Sequence, residues 1–286
     1  MYKVVTKRFL NDAKTICLFE IEAPLIARHA QAGQFVVFRL DEQGERVPVS
    51  VAGYDREKGT VTVMVQAAGK TTKMLHTVAQ GDFIHDIVGP LGKATEMEGL
   101  KKVCVVGGGV GCAIAYPIAK EMHERGIDVT FIAGFRSADI VILKDELKAA
   151  SNKLIIATDD GSYGEKGFTT VFLKNEIEAN IKEGKPQFDR VVAIGPDIMM
   201  KFLADVTRPY GIKTIISLDP IMVDGTGMCG GCRVIVGGET KFACVDGPEF
   251  DGHQVDFKGL MSRQRMYRDL EAEEKDHVCR IGLGRK

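Results

Sequence analysis

The sequence predicts a β plus α/β architecture in three parts: an antiparallel barrel, a parallel-sheet α/β domain, and a small cysteine-bearing loop domain. Three observations predict it. Short β-branched segments recur before residue 98, apolar strands alternate with helical patterns over 99–220, and three of the seven cysteines crowd between Cys229 and Cys244.

Residues 1–98 contain VVTKRFL, TICLFEIEA, GQFVVFRL, VPVSVAGYD and TVTVMVQAA, each rich in β-branched residues and bounded by Gly, Asp, Asn or Pro. Several short strands at this spacing predict a small antiparallel barrel. From Lys101 the texture changes. KKVCVVGGG is an apolar strand running into glycines, CAIAYPIAKEMHERG has helical period, and DVTFIAGF reads as a second strand, which together make a βαβ unit. Beyond it ADIVILKDELKAA, TTVFLKNEIEANIKEG and DIMMKFLADVTRPYG read as helices, alternating with strands KLIIATDD, FDRVVAIGP and KTIISLDP. A parallel sheet covered by helices therefore accounts for 99–220. Residues 221–258 are rich in glycine and cysteine and too polar to build a core unaided, so something inorganic is expected to hold them together. The stretch 259–286 mixes charge with sparse apolar residues and reads as one exposed helix, either a docking element for a partner or packed on its own cysteine segment.

A net charge of -1 from 38 basic and 39 acidic residues gives no electrostatic reason to expect nucleic acid or an anionic membrane as partner. The N-terminal stretch lacks the continuous apolar core of a secretory signal, and no later stretch approaches about 20 uncharged apolar residues. A soluble, cytoplasmic protein is the expectation.

The strongest chemical signal is Asp224-GTGM-Cys229-GG-Cys232, followed by Cys244 in FACVDGPEF. Two thiolates separated by two residues can bind one metal centre, and Gly225, Gly227, Gly230 and Gly231 let backbone amides turn toward the sulfurs. A plant-type [2Fe-2S] site spaces its ligands as Cys, four residues, Cys, two residues, Cys and a distant Cys; here Asp224 stands in the first position. A zinc site is the competing reading. The glycine lining favours a cluster, with Asp224 as fourth ligand and Asp246 and His253 in reserve. Cys17, Cys104, Cys112 and Cys279 sit in apolar or isolated contexts and read as structural.

Two kinds of loop suit nucleotides. Gly107-Gly108-Gly109-Val110-Gly111 lies between a strand and a helix, where amides and the helix dipole receive pyrophosphate. It is not a clean GxGxxG, and Gly134-Phe135-Arg136 replaces the acidic residue expected about 20 residues on, so an ordinary dinucleotide-dependent dehydrogenase fits poorly. Cys112, opening the following helix, is a minor candidate to face a nicotinamide ring. In the first part, Arg46-Val47-Pro48-Val49-Ser50 puts a guanidinium and a hydroxyl on one side of an extended segment, and Gly69-Lys70-Thr71-Thr72 adds amides and hydroxyls at a helix start. Both are candidates to hold phosphates. Each alone reads equally as an edge strand or an ordinary cap.

Read together, RVPVS, AAGKTT, GPLG, GGGVG, GFRS, TDDGSYGEKG, IGP and a cysteine loop ending in FACVDGPEF resemble the ferredoxin reductase superfamily over nearly the whole chain. Within it the chain is similar to the electron-transfer subunit of dihydroorotate dehydrogenase and, closer still, to the small subunit of NADH-dependent ferredoxin:NADP oxidoreductase, also called a sulfide dehydrogenase subunit. In the dihydroorotate relatives the cluster loop starts with Cys, whereas this sequence has Asp224. The resemblance implies that Arg46, Pro48, Val49 and Ser50 touch FAD, with Ser50 near the reactive flavin nitrogen, and that Gly69, Lys70, Thr71 and Thr72 hold its pyrophosphate. It implies that Gly108, Gly109, Val110, Gly111, Arg136, Asp159, Asp160, Gly195 and Pro196 shape a nicotinamide site; the resemblance suggests NAD(H), whereas Arg136 could attract the 2′-phosphate of NADP(H). Asp224, Cys229, Cys232 and Cys244 would then hold a [2Fe-2S] cluster.

The implied activity is electron transfer among NAD(P)H, FAD and the cluster, with no catalytic acid or base required on this chain. The implied partner is a larger iron–sulfur flavoprotein subunit in a heterodimer, with ferredoxin reached indirectly. The alternatives are the dihydroorotate-type subunit and a non-catalytic metal-binding interaction module.

Overall fold

The computed structural model describes residues 1–272. Its first half is built from β1 (Tyr2–Phe9), β2 (Ile16–Glu22), α1 (Pro24–His29), β3 (Phe35–Arg39), β4 (Val47–Asp55), β5 (Thr60–Gln66), α2 (Lys70–Leu75), β6 (Phe83–Ile84) and β7 (Asp86–Leu91). The strands form one seven-stranded antiparallel sheet in the order β6-β1-β2-β5-β4-β3-β7. Only His85 separates β6 from β7 in sequence, yet they lie at opposite edges of that order, so the sheet curls into a barrel. Strand alternation decides what fills it. Cys17, Phe19 and Ile21 of β2 meet Val61, Val63 and Val65 of β5 inside, together with Val36, Phe38 and Val51. The short elements α1, β6 and β7 are additions that the β-branched pattern does not reveal; β7 carries Gly89 and Pro90, which hide it.

The second half runs β8 (Lys102–Gly108), α3 (Gly111–Glu124), β9 (Asp128–Phe135), α4 (Lys144–Ala149), β10 (Lys153–Thr158), β11 (Glu165–Lys166), α5 (Thr169–Lys182), β12 (Arg190–Ile194), α6 (Asp197–Thr207) and β13 (Thr214–Ser217). After β14 (Arg233–Val236) and β15 (Glu239–Phe242), which form a separate hairpin, come β16 (Glu249–Asp251) and α7 (Phe257–Gln264). The second sheet has the order β11-β10-β9-β8-β12-β13-β16, parallel except for the antiparallel β13–β16 pair. Its centre is apolar on both faces. Val103 and Val105 of β8 pack with α3 and α4 through Ala113, Ile118, Met122 and Leu147, while Cys104 and Val106 pack with α5 and α6 through Leu173, Ile177, Met200 and Leu203. Chain direction reverses across the sheet between β8 and β12, and a crevice opens there at the strands' C-terminal ends. Outward-facing Ala52 and Met64 of the barrel join the same core as Cys112 and Ile118, which fixes the barrel against α3.

Two helical expectations are corrected. The helix expected over ADIVILKDELKAA is broken: a 3₁₀ turn at Ala138–Ile140 is followed by an extended step, and Leu143 takes a left-handed φ of 57° before α4 begins. Extending the chain there buries Ile142 and Leu143 at 1% and 6% exposure beneath α3, and that burial outweighs roughly 1–2 kcal/mol of backbone strain. The single exposed helix expected over 259–286 is also replaced. Helix α7 begins at Phe257 with Asp256 as its cap, buries Phe257 and Leu260, and ends before a turn at 265–267; a new helical turn starts at Arg268. Residues 273–286, with Cys279, lie outside the described residues. The segment 221–258 also contributes to the main sheet through β16, and its buried Cys232, Val234, Ala243 and Cys244 share a core with Phe35, Val37 and Phe250.

Candidate functional site

The crevice between barrel and parallel sheet is a cavity of about 1200 Å³. Its floor is made from loops that follow parallel strands: Gly108–Gly111 after β8, Gly134–Ser137 after β9, Asp159 after β10, Gly195–Pro196 after β12, and Ser217–Asp219 after β13. The opposite wall comes from the barrel, with Pro48, Val49 and Ser50 of β4 beside Thr15, Ile16 and Gln66. Sequence-distant loops meet here because strand order, not chain order, sets the rim.

Glycine is required for two different reasons along the β8–α3 turn. A Cβ on Gly111 would stand 2.3 Å from the carbonyl oxygen of Ile194, and one on Gly108 would stand 2.4 Å from Met199 Sδ. Close approach of α3 to β12 and α6 excludes side chains there. Gly109 has open space but a φ of +56°. Packing and turn geometry together bring the N-terminus of α3 to the cleft, a location that favours negative ligand charge. Cys112 is fully buried and faces the core instead of the cleft.

Of the residues singled out in the sequence, Pro48, Val49, Ser50, Gly108, Gly109, Val110, Gly111, Arg136, Asp159, Gly195 and Pro196 line this one cavity. Arg46, Gly69, Lys70, Thr71, Thr72 and Asp160 do not. Gly69 caps α2, the Thr72 hydroxyl accepts from the amides of Ala68 and Gly69 at 3.0 Å, and Thr71 donates to the Glu45 carboxylate at 2.5 Å. This contact brings the Glu45–Arg46 loop to the start of α2. Asp160 accepts from the Ser162 amide and hydroxyl, which hold its carboxyl below the usual range and tie it into a turn. Residues missed by the sequence reading include Phe168, Ile198 and Phe202, apolar side chains 63%, 49% and 51% exposed within the cleft, and Asp219 and Met222 on its floor. Exposed aromatic surface inside a cavity is a binding signal that periodicity does not carry.

The cysteine loop leaves the cleft floor at Met222. Glycines 225, 227 and 230 all take positive φ, and Gly225 lies so close to Leu91 and Val37 of the barrel that a Cβ would stand 2.8 Å from Leu91 Cδ1. The sulfurs of buried Cys232 and Cys244 are 3.2 Å apart, while Cys229 is exposed. Backbone amides point at sulfur: Gly231 donates to Cys229 Sγ and Cys244 donates to Cys232 Sγ, each at 3.4 Å. Burial, reinforced by Cys232, pushes the Cys244 thiol up to about 12. The Asp224 carboxylate accepts from the amides of Thr226, Met228 and Cys229 at 2.8–3.0 Å, which hold it down at about 2. It is thus anionic at neutral pH and pre-positioned by its own loop. Paired thiols with amides aimed at them fit an iron–sulfur centre. Among the described residues, no three potential ligands of the His, Cys, Asp and Glu type are gathered into a metal-holding group. His253 instead bonds the Thr207 hydroxyl at 2.9 Å, and Asp246 accepts from the Phe242 amide at 2.7 Å.

Residues 219–256 match the model for the iron–sulfur cluster binding domain of dihydroorotate dehydrogenase B. The chain is 47% identical over 259 residues to the dihydroorotate dehydrogenase B (NAD(+)) electron transfer subunit homolog of Thermotoga maritima, covering 91% of this chain and 89% of that one. The chain belongs to the family of dihydroorotate dehydrogenase B electron-transfer subunits. The subunit of Streptococcus pneumoniae is 34% identical over 228 residues, covering 77% and 85% of the two chains. In solved structures, this family member is similar to a chain of NADH-dependent reduced ferredoxin-NADP oxidoreductase, described in connection with flavin-based electron bifurcation. That match has a TM-score of 0.87 and 41% identity, and covers 96% of this chain and 97% of that one. The fold is that of the ferredoxin reductases. No helix among the described residues is long and apolar enough to cross a membrane.

Proposed function

We propose that this chain is the electron-transfer subunit of a cytoplasmic flavin and iron–sulfur oxidoreductase, with FAD and a nicotinamide dinucleotide meeting in the cleft and a [2Fe-2S] cluster in the cysteine loop. One observation carries the reading: a single cavity unites the barrel's Pro48-Val49-Ser50 with the glycine loops of the parallel sheet. At about 1200 Å³ it exceeds the roughly 300–1,000 Å³ usual for one ligand, which suits parts of two. FAD held there would supply hydride chemistry toward the dinucleotide and one-electron chemistry toward the cluster.

The chain's own residues would bind, orient and exclude water. Pro48, Val49 and Ser50 present a wall for a flat ring, and the Ser50 hydroxyl supplies a hydrogen-bonding group on it. The α2 N-terminus, tied by Thr71 to the loop that carries Glu45 and Arg46, would take phosphates together with Arg46. Opposite, Gly108–Gly111 and the start of α3 receive the second pyrophosphate, and Phe168 with Phe202 offers apolar cover. Asp159 lines the cleft near Arg136; the carboxylate suits a ribose diol and the guanidinium suits a 2′-phosphate, and the relatives named for NAD(+) support NAD(H) over NADP(H). Cys229, Cys232, Cys244 and Asp224 would hold the cluster.

Electrons would then pass to a larger iron–sulfur flavoprotein subunit and through it to ferredoxin, a reading supported by the similarity to a chain of NADH-dependent reduced ferredoxin-NADP oxidoreductase. The cluster-domain match and the family relatives support the second reading, a dihydroorotate-type subunit. Anaerobic purification with whatever co-purifies, followed by visible spectroscopy and assay of iron, zinc, sulfide and FAD, tests both. Flavin bands with two irons and two sulfides per copy of this chain are expected, after subtracting the partner's content. The identity of the co-purifying subunit separates the readings, and zinc without sulfide or flavin would sink them.

A further inference from the structure

Two glycines on the cleft floor are covered by one side chain. Gly108 ends β8 and Gly195 follows β12, the central strands that pair in parallel at Gly107 and Ile194. A Cβ on Gly108 would stand 2.9 Å from Met199 Cε as well as 2.4 Å from its Sδ. One on Gly195 would stand 2.6 Å from the same Cε and 3.2 Å from Gly108 Cα. Met199 is half-buried and lines the cavity together with both glycines. Its thioether therefore lies over the junction of the two strand ends, at the crevice where chain direction reverses and a parallel sheet seats its ligand.

The backbone of Met199 is fixed, because its amide donates to the Pro196 carbonyl at 2.8 Å in the first turn of α6. Its side chain is unbranched, with three rotatable bonds, and can be repositioned without moving the helix. The two consecutive methionines part here: Met200 is fully buried in the core, and Met199 turns to the cleft. Phe202, three residues on, shares a helix face with Met199 and is 51% exposed within the same cavity. A thioether leaving the glycines meets that ring, and sulfur–aromatic contact is favourable. With Met199 aside, two strand ends without a Cβ are open to a flat group; with Met199 in place, an apolar methyl fills that space.

This inference rests on the proposed function, which brings a nicotinamide dinucleotide to these glycine loops. We propose that Met199 is a displaceable plug: it fills the slot of the nicotinamide ring over Gly108 and Gly195, and swings toward Phe202 as the ring enters. The dinucleotide then binds in two parts. Its ADP-ribose half docks without disturbing Met199, whereas the ring must displace the thioether. Displacement lowers the apparent affinity for the ring and leaves that for the ADP-ribose half unchanged, since only the ring needs the open slot.

The test uses the full complex with its cofactors, isotope-labelled at the methionine methyls, and compares NAD⁺ with ADP-ribose, which lacks the nicotinamide ring. The Met199 methyl resonance, identified by its loss in Met199→Leu, should shift when NAD⁺ binds and stay in place with ADP-ribose. In calorimetric titrations, Met199→Ile, stiffened by its branch at Cβ, cannot clear the slot and should weaken NAD⁺ binding about tenfold. ADP-ribose should bind that variant as it binds the wild type. Met199→Ala, with no plug to displace, should bind NAD⁺ more tightly than the wild type. A resonance that ignores NAD⁺ or moves equally with ADP-ribose overturns the proposal. So does equal weakening of both ligands in Met199→Ile, the mark of a merely structural side chain, or weaker NAD⁺ binding in Met199→Ala. If neither ligand binds the wild-type complex, the functional reading falls and takes the plug with it; that failure is distinct because it appears before any variant is compared.

Discussion

The cleft and the cysteine loop lie side by side but are held in different ways. The cleft rim is the end of a parallel sheet whose central strand, Val103–Val106, is fully buried between helix layers, so its loops inherit the rigidity of the core. The loop from Val223 to Cys232 has no regular structure, exposes Val223 at 52% and Met228 at 88%, and is shaped by positive-φ glycines and hydrogen bonds to one carboxylate. A site made of packed strand ends should exist before its ligand. A site made of thiols and turns should depend on what it binds.

The largest effect is expected from breaking the loop alone. Cys232→Ser should abolish iron and sulfide incorporation and expose the amides of 221–245 to hydrogen exchange, while the FAD dissociation constant stays within about tenfold, equivalent to about 1.4 kcal/mol. Loss of flavin in parallel with iron would show that the two sites are not independent.

The cleft is broken from its packed side. Gly111→Ala forces a Cβ to 2.3 Å from the Ile194 carbonyl oxygen, so it should cost about 3 kcal/mol in denaturant unfolding. Gly109→Ala, with open space but positive φ, should cost about 1 kcal/mol. Equal costs would mean that turn geometry, and not helix–strand approach, sets the rim.

A smaller effect sharpens the comparison at the seam. Glu249 of β16 accepts from Thr95 at 2.6 Å, against Gly33 of the barrel, and burial pushes it up to about 7. A carboxyl raised on folding keeps its proton in the native state after the unfolded chain has lost it. Its stabilising share is thus whole below the unfolded value of about 4.3 and lost as pH rises through about 7. Glu249→Gln should raise unfolding free energy at pH 8 by about 1–2 kcal/mol and leave it nearly unchanged at pH 4. Unchanged pH dependence would remove Glu249 from the junction's energetics.

How much of this was legible in the sequence follows the range of each signal. Period-two alternation in TICLFEIEA and the strand–glycine–helix turn at Val103–Gly111 are local, and each fixes its element from neighbouring residues. The CxxC loop is local too, and its chemistry was readable before its fold. The break at Leu143 was not, because the gain is the burial of Ile142 and Leu143 beneath a helix about 25 residues away in sequence. Nor was the seating of β16 beside β13, since a three-residue strand is specified by the edge it joins.

By itself the sequence determined the barrel-then-α/β order, the placing of the glycine turns and the cysteine spacing, and the family, because all three are written in residue types at short spacing. Only the tertiary structure decided that Ser50 shares a cavity with Gly109 and Asp159, that Phe168 and Phe202 stay exposed within it, and that Asp197 meets Asp219. Those pairings span loops that strand order brings together. Whether a carboxyl keeps its proton depends on which charges and how much protein surround it, and no spacing along the chain encodes that.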